Sequence, residues 1–137
     1  MKENSVVLSK HRLQRANEHF KAAELLLNSG FFHDSLGRSY YAMFAAARAL
    51  LACQDLDSKK HSGVISLFNQ NYVKTGIISR HMGKSLSKAR IIRESSDYTD
   101  FYLVSEEEAS SQIAAAKDFI AEVDSVLKEL IIEGNNL

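Results

Sequence analysis

Residues 34–53 read DSLGRSYYAMFAAARALLAC. No proline interrupts them, and Leu36, Tyr40, Met43, Ala47 and Leu50 fall at three- and four-residue steps, which places them on one face of a helix. The many alanines let neighbouring helices approach the other faces closely, so this stretch reads as the most buried helix of an all-α protein. Helix-sized gaps between glycines extend the pattern both ways, because the whole chain has no Pro and only six Gly. Upstream, Leu13, Ala16, Phe20, Ala23 and Leu27 mark an amphipathic helix over Leu8–Asn28 that stops at Asn28-Ser29-Gly30. Downstream, polar residues from Gln54 to Lys60 form a turn, and His61–Tyr72 forms a shorter helix anchored by Val64, Ile65 and Phe68.

After a turn at Lys74-Thr75-Gly76, the spacing predicts a helix from Lys84 to about Asp100, with Leu86, Ala89, Ile92 and Ser96 inward. The last helix opens on a capping box, with Ser105 at the cap and Glu108 three residues on, and it ends near Glu133-Gly134. Each amphipathic stripe needs neighbours to leave water, so the expected architecture is an antiparallel four-helix bundle with an additional short crossover helix, in a single domain over residues 1–137. No strand-length β-branched runs alternate with the helices and no Gly-x-Gly-x-x-Gly occurs, which argues against a parallel-sheet nucleotide fold.

The single Cys53 excludes an intramolecular disulfide framework, and none of the five histidines falls into a recognised zinc spacing, so neither metal nor cofactor is expected. There is no apolar stretch of membrane-spanning length, and a cytoplasmic protein is the expectation. Formal charge is zero, 17 Lys and Arg against 17 Asp and Glu, but the charges are segregated. From Ser58 to Arg93 there are eight basic residues and no acidic one, whereas from Phe101 onward eight acidic residues face only two basic ones. A polyanion site is therefore compatible with neutrality if the fold gathers the central block.

Within that block the sequence KARIIRESSDY puts Arg90, Arg93 and Asp97 near one another on a helix, with Arg93 and Asp97 one i,i+4 step apart. Two arginines so placed can converge on one anion, or Arg93 and Asp97 can form a structural ion pair, and register alone leaves both readings open. Tyr98, about 100° further round, can pack in the bundle with its hydroxyl at the rim or stack on a base. His61 follows Lys59 and Lys60 at a helix start, where an anion could meet backbone donors, an imidazole and two cations, although a solvated basic loop has the same composition. Of Tyr40 and Tyr41, one should be core, while the other, with Arg38 or Arg48, could face a partner helix or the polar groove.

SYYAMFAAARALL, then KKHSGVISLFNQNYVKTG, then RESSDY, in this order among five helices, resembles the HEPN domain (higher eukaryotes and prokaryotes nucleotide-binding) over roughly Leu13 to Val126. The resemblance implies a helical bundle that is commonly a homodimer and binds nucleotide or RNA. It also implies, for many members, metal-independent endoribonuclease toxins whose partner is a nucleotidyltransferase-like antitoxin. Ribonuclease members carry an arginine followed after four to six residues by a histidine. Arg93 matches that arginine, but Asp97 and Tyr98 stand where the histidine is sought, and no histidine follows His81. The resemblance thus assigns phosphate binding to Arg93 with Arg90, Lys59, Lys60 and Tyr98 nearby, and orientation of Arg93 to Asp97. Acid/base work falls to a remote His61, provided the fold brings it close. A non-catalytic helical protein-interaction module is the alternative, in which Arg93 and Asp97 hold the helix packing.

Overall fold

A computed structural model describes residues 2–135. Among them the chain forms α1 (Glu3–Asn28), α2 (Phe32–Cys53), α3 (His61–Phe68) running into a π turn at Asn69–Val73, α4 (Arg80–Tyr98) and α5 (Glu106–Asn135), with no strand. The expected all-α bundle with a short crossover helix is what the chain adopts. Its centre is α2, which packs on α1, α3, α4 and α5. Thirteen residues of α2 are buried, including Leu36, Tyr40, Met43, Leu50 and Leu51, and its buried alanines let α1 and α5 lie close. Burying each large side chain of this kind contributes about 1.5–3 kcal/mol. Phe68 and Phe119 meet across the core with centroids 5.5 Å apart, tying α3 to α5.

Helix ends depart from the expected ones wherever polar contacts set them. α1 begins at Glu3 rather than Leu8, because its first turns present serines instead of apolar residues to the end of α2. Ser5 Oγ donates to Asp55 at 2.5 Å, and Ser9 Oγ lies 3.2 Å from Cys53 Sγ. α1 stops as expected: Gly30 takes a left-handed φ of 84°, and the Phe31 N–H returns to the Leu26 carbonyl at 2.8 Å. α4 begins at Arg80 rather than Lys84, because Ser79 caps it and is itself held by Glu122 of α5, which accepts from the Ser79 N–H at 2.9 Å. The segment expected to be helical to Tyr72 leaves α geometry at Asn69, where Lys74 N–H bonds to the Asn69 carbonyl at 2.8 Å. The buried Tyr72 hydroxyl donates to the Leu50 carbonyl and anchors this wider turn on α2. Ser105 caps α5 as expected, accepting from Glu108 N–H at 3.0 Å, while the Glu108 carboxylate accepts from the Tyr102 hydroxyl at 2.6 Å.

No described helix is long and apolar enough to cross a membrane, and no group of three or more potential ligands among the described residues could hold a metal ion.

Candidate functional site

α2, the start of α3 and the C-terminal half of α4 meet at one aromatic ledge. Successive residues of a helix point about 100° apart, so Tyr40 and Tyr41 divide the work: Tyr40 is fully buried and Tyr41 half-buried. His61, the first residue of α3, stacks on Phe44 with ring centroids 4.2 Å apart and planes at 19°. Its Nδ1 lies 2.9 Å from the Tyr40 hydroxyl. The Arg93 guanidinium lies over the Tyr41 ring, 4.7 Å from its centroid, and 5.7 Å from that of Tyr40. His61 and Arg93 thus both lie against the same pair of tyrosines, although they come from different helices.

Each arginine is held by its own carboxylate one turn further on. Arg93 Nε sits 3.0 Å from Asp97 Oδ2, and Arg90 Nε donates to Glu94 Oε1 at 2.9 Å. Asp97 has a second neighbour in His33 at the start of α2, 3.5 Å away, whose Nε2–H donates to the Ser96 carbonyl at 3.0 Å. The start of α2 is thereby tied to the end of α4, beside the Arg93–Asp97 pair.

This electrostatic setting keeps His61 neutral. Burial first, then the nearby Arg93 and Arg90, lower its pKa below the usual 6.5. Burial pushes the Tyr40 hydroxyl up to about 12, so at neutral pH it stays protonated. Either partner of the His61–Tyr40 bond can donate; in the tautomer whose Nδ1–H donates to Tyr40, a neutral imidazole keeps its Nε2 lone pair free, as a general base requires.

Tyr41 and Phe44 also line a cavity of about 410 Å³ between α1 and α2, together with Arg15, His19 and Arg48. Arg38 donates to His19 Nδ1 at 3.2 Å, and Arg12 and Arg48 share Asp57, at 3.2 and 3.3 Å. Arg48 Nε is buried without a partner among the described residues.

Of the residues singled out from sequence, Arg90, Arg93, Asp97 and His61 are brought to this one region. Lys59 and Lys60 precede His61 but stand exposed on the loop into α3. Tyr98 is 81% exposed, so its ring does not pack in the bundle: the inward positions of α4 end at Ser96, and the next turn frays into the loop. Sequence reading missed Phe44, His33 and the α1 side of the cavity. Tyr41 and Phe44 share a helix face at i,i+3, which was a usable signal, whereas nothing in the sequence links His33 to Asp97.

Comparison with known proteins identifies the family. A "Putative toxin MJ0605" of Methanocaldococcus jannaschii is 36% identical over 119 residues, 87% of this chain and 88% of that protein. A "UPF0332 protein" of Thermotoga maritima is 33% identical over 117 residues, 85% of this chain and 89% of its own. "Putative toxin MJ0142" of Methanocaldococcus jannaschii is 29% identical over 125 residues, 90% of this chain and 85% of its own. The family profile of the HEPN domain matches residues 9–127, so a chain whose helices converge on an arginine, an imidazole and an aromatic ledge belongs to the HEPN domain family.

Proposed function

We propose that the protein is a toxin-like HEPN protein that binds RNA or a nucleotide phosphate at Arg90 and Arg93 and cleaves RNA without a metal ion. His61 serves in place of the motif histidine that the sequence lacks. The observation that carries this reading is the placement of Arg93 and His61 on the same two tyrosines. In the reaction His61 Nε2 takes the proton of a ribose 2′-hydroxyl, whose oxygen attacks the adjoining phosphorus. The bond to the 5′ oxygen breaks, that oxygen takes a proton from solvent, and a 2′,3′-cyclic phosphate remains. Arg93, steadied by Asp97, stabilises the charge that develops on the phosphoryl oxygens, and Tyr41 with Phe44 offers a stacking surface for a neighbouring base.

A second copy completes the proposal as a homodimer. Phe101 and Leu103, 98% and 89% exposed, stand in the loop just past Arg93 and Asp97, where large apolar side chains gain from being covered. A nucleotidyltransferase-like antitoxin is the partner that the family suggests, and the names borne by the two Methanocaldococcus jannaschii relatives support a toxin.

Purified protein freed of any partner should cleave single-stranded RNA in the presence of EDTA, leave a 2′-deoxy substrate intact, and lose about 10²–10⁴-fold in rate on His61→Ala. If folded, partner-free protein cleaves none of a broad panel of RNAs, the non-catalytic interaction module takes the place of the enzyme. Light scattering tests the dimer, and Phe101→Ser with Leu103→Ser should shift it to monomer.

A further inference from the structure

His61 stands where the protein itself gives a positive charge no support. It is the first residue of α3, so the positive end of that helix dipole lies beside it. The one hydrogen bond its ring makes among the described residues is with a neutral group, the Tyr40 hydroxyl, and the rings of Phe44, Tyr40 and Tyr41 surround it. No carboxylate among the described residues lies within ion-pair distance of it. The carboxylates of the neighbourhood are each committed to arginines: Glu94 to Arg90, Asp97 to Arg93, and Asp57 to Arg12 and Arg48.

The charged groups that act on the ring come from two helices. Arg93 and Arg90 of α4 and Arg48 of α2 disfavour its cation, Glu94 of α4 opposes them, and Lys59 and Lys60 precede it in the chain. Burial comes first among the causes and these arginines second, and together they hold the imidazole below its ordinary 6.5. The aromatic ledge also brings the imidazole near the place an anion would take. The Tyr41 centroid lies 6.0 Å from the centre of the His61 ring and 4.7 Å from the Arg93 guanidinium carbon. Asp97 takes Nε of Arg93, so a phosphodiester would meet the terminal nitrogens, within coulombic reach of the half-buried imidazole.

We propose, on the reading of these arginines as the phosphate site, that phosphodiester binding at Arg90 and Arg93 is coupled to proton uptake at His61, so that the substrate strengthens the base that acts on it. In the empty site the imidazole is neutral and a weak base. The arriving phosphodiester supplies the negative charge that the protein withholds, and the imidazolium formed when Nε2 takes the 2′-hydroxyl proton is then paired with it. The Tyr40 hydroxyl accepts from Nδ1–H of the charged ring, so protonation keeps that bond. Coupling of this kind is reciprocal: an anion that raises the proton affinity of His61 must itself bind more tightly once His61 is charged.

The test uses the full chain and tetrathymidylate, which lacks the attacking 2′-hydroxyl and whose phosphodiesters keep their charge over the range in which histidine titrates; the proton then comes from solvent. Histidine ring protons are followed by NMR against pH, with His61 assigned by its loss in His61→Gln, and the backbone amides of Arg90 and Arg93 report binding. Saturating ligand should shift those amides and raise the pKa of His61 by about 0.5–1, more than that of His81 at the other end of α4. Between about pH 7 and 5 the affinity of the unaltered protein should gain about 3–10-fold more than that of His61→Gln. In RNA cleavage the acidic limb of kcat, which reports the bound state, should lie at higher pH than that of kcat/KM, which reports the free protein. Shifted amides with the His61 pKa unchanged, lowered, or raised no more than that of His81 overturn the coupling and leave the phosphate site standing, as do coincident limbs. Arg90 and Arg93 amides that do not respond to the ligand remove the phosphate site, and the coupling with it.

Discussion

α2 and α4 are helices of similar length put to opposite uses. α2 buries thirteen of its 22 residues, whereas α4 buries four of 19: Gly83, Leu86, Ala89 and Ser96. What remains of α4 is largely charge, with Arg90 and Arg93 turned to the aromatic ledge and Arg80, Lys84 and Lys88 turned to a pocket beside the π turn. The difference teaches that the packing core and the proposed binding residues lie on separate helices here. One is packed so tightly that it can act as a fixed reference, and the other is attached by a thin apolar strip and leaves most of its side chains at the surface.

Substitutions can break this division or sharpen it. The largest effect on stability belongs to α2: Leu50→Ala, at a position with no exposure, should cost about 2–5 kcal/mol in chemical denaturation, and a cost below about 1 kcal/mol would show that α2 is not the reference helix. Next comes Arg93→Ala in α4, which should lower RNA affinity or cleavage by about 10–100-fold, the worth of one charge-assisted phosphate contact, while the far-ultraviolet spectrum stays unchanged. An unfolded Arg93→Ala protein would make the Arg93–Asp97 pair structural and erase the contrast.

A smaller, pH-dependent effect should separate the ledge from the core. His61 and His19 both have folded pKa values lowered from 6.5, in each case by burial first and by neighbouring arginines second. Below pH 6.5 the unfolded chain then binds more protons than the folded one, so their contribution to stability is present above that pH and is lost as pH falls through their folded pKa values. His61→Gln should flatten the decline in melting temperature between pH 7 and 5, and an unchanged slope would place the titration elsewhere. The smallest effect is expected at Ile91, which is 63% exposed: Ile91→Ala should change stability by less than about 0.5 kcal/mol in chemical denaturation.

The same division explains what could be read from the sequence. α2 was legible because burial on several faces leaves a dense apolar record, and the positions expected inward, Leu36, Tyr40, Met43, Ala47 and Leu50, are all fully buried. The start of α1 was not, because Ser5 and Ser9 make polar contacts to Asp55 and Cys53, and apolar periodicity carries no trace of them. The pairing of Arg93 with Asp97 was visible as an i,i+4 step. That His61 would share the ledge with Arg93 was not, since it depends on how the loop from Gln54 to Lys60 returns α3 to the middle of α2. The pocket near Asn69 left only half a record: its cations stood in the basic block, but the π turn that shapes it has no periodicity signal of its own.

That π turn also bears on how relatives of different length should be aligned. A π turn accommodates one residue more than α-helical spacing requires, so losing a residue between Asn69 and Val73 would convert it to an ordinary helical turn. Every side chain on one side of the deletion would then rotate by about 100° relative to the other, and Asn69 and Tyr72 could no longer face Gly83 and Leu50 together. A one-residue gap at this place in an alignment is therefore a change of the surface between the π turn and α4, while a gap of the same size in the exposed loop around Phe101 would leave that surface untouched.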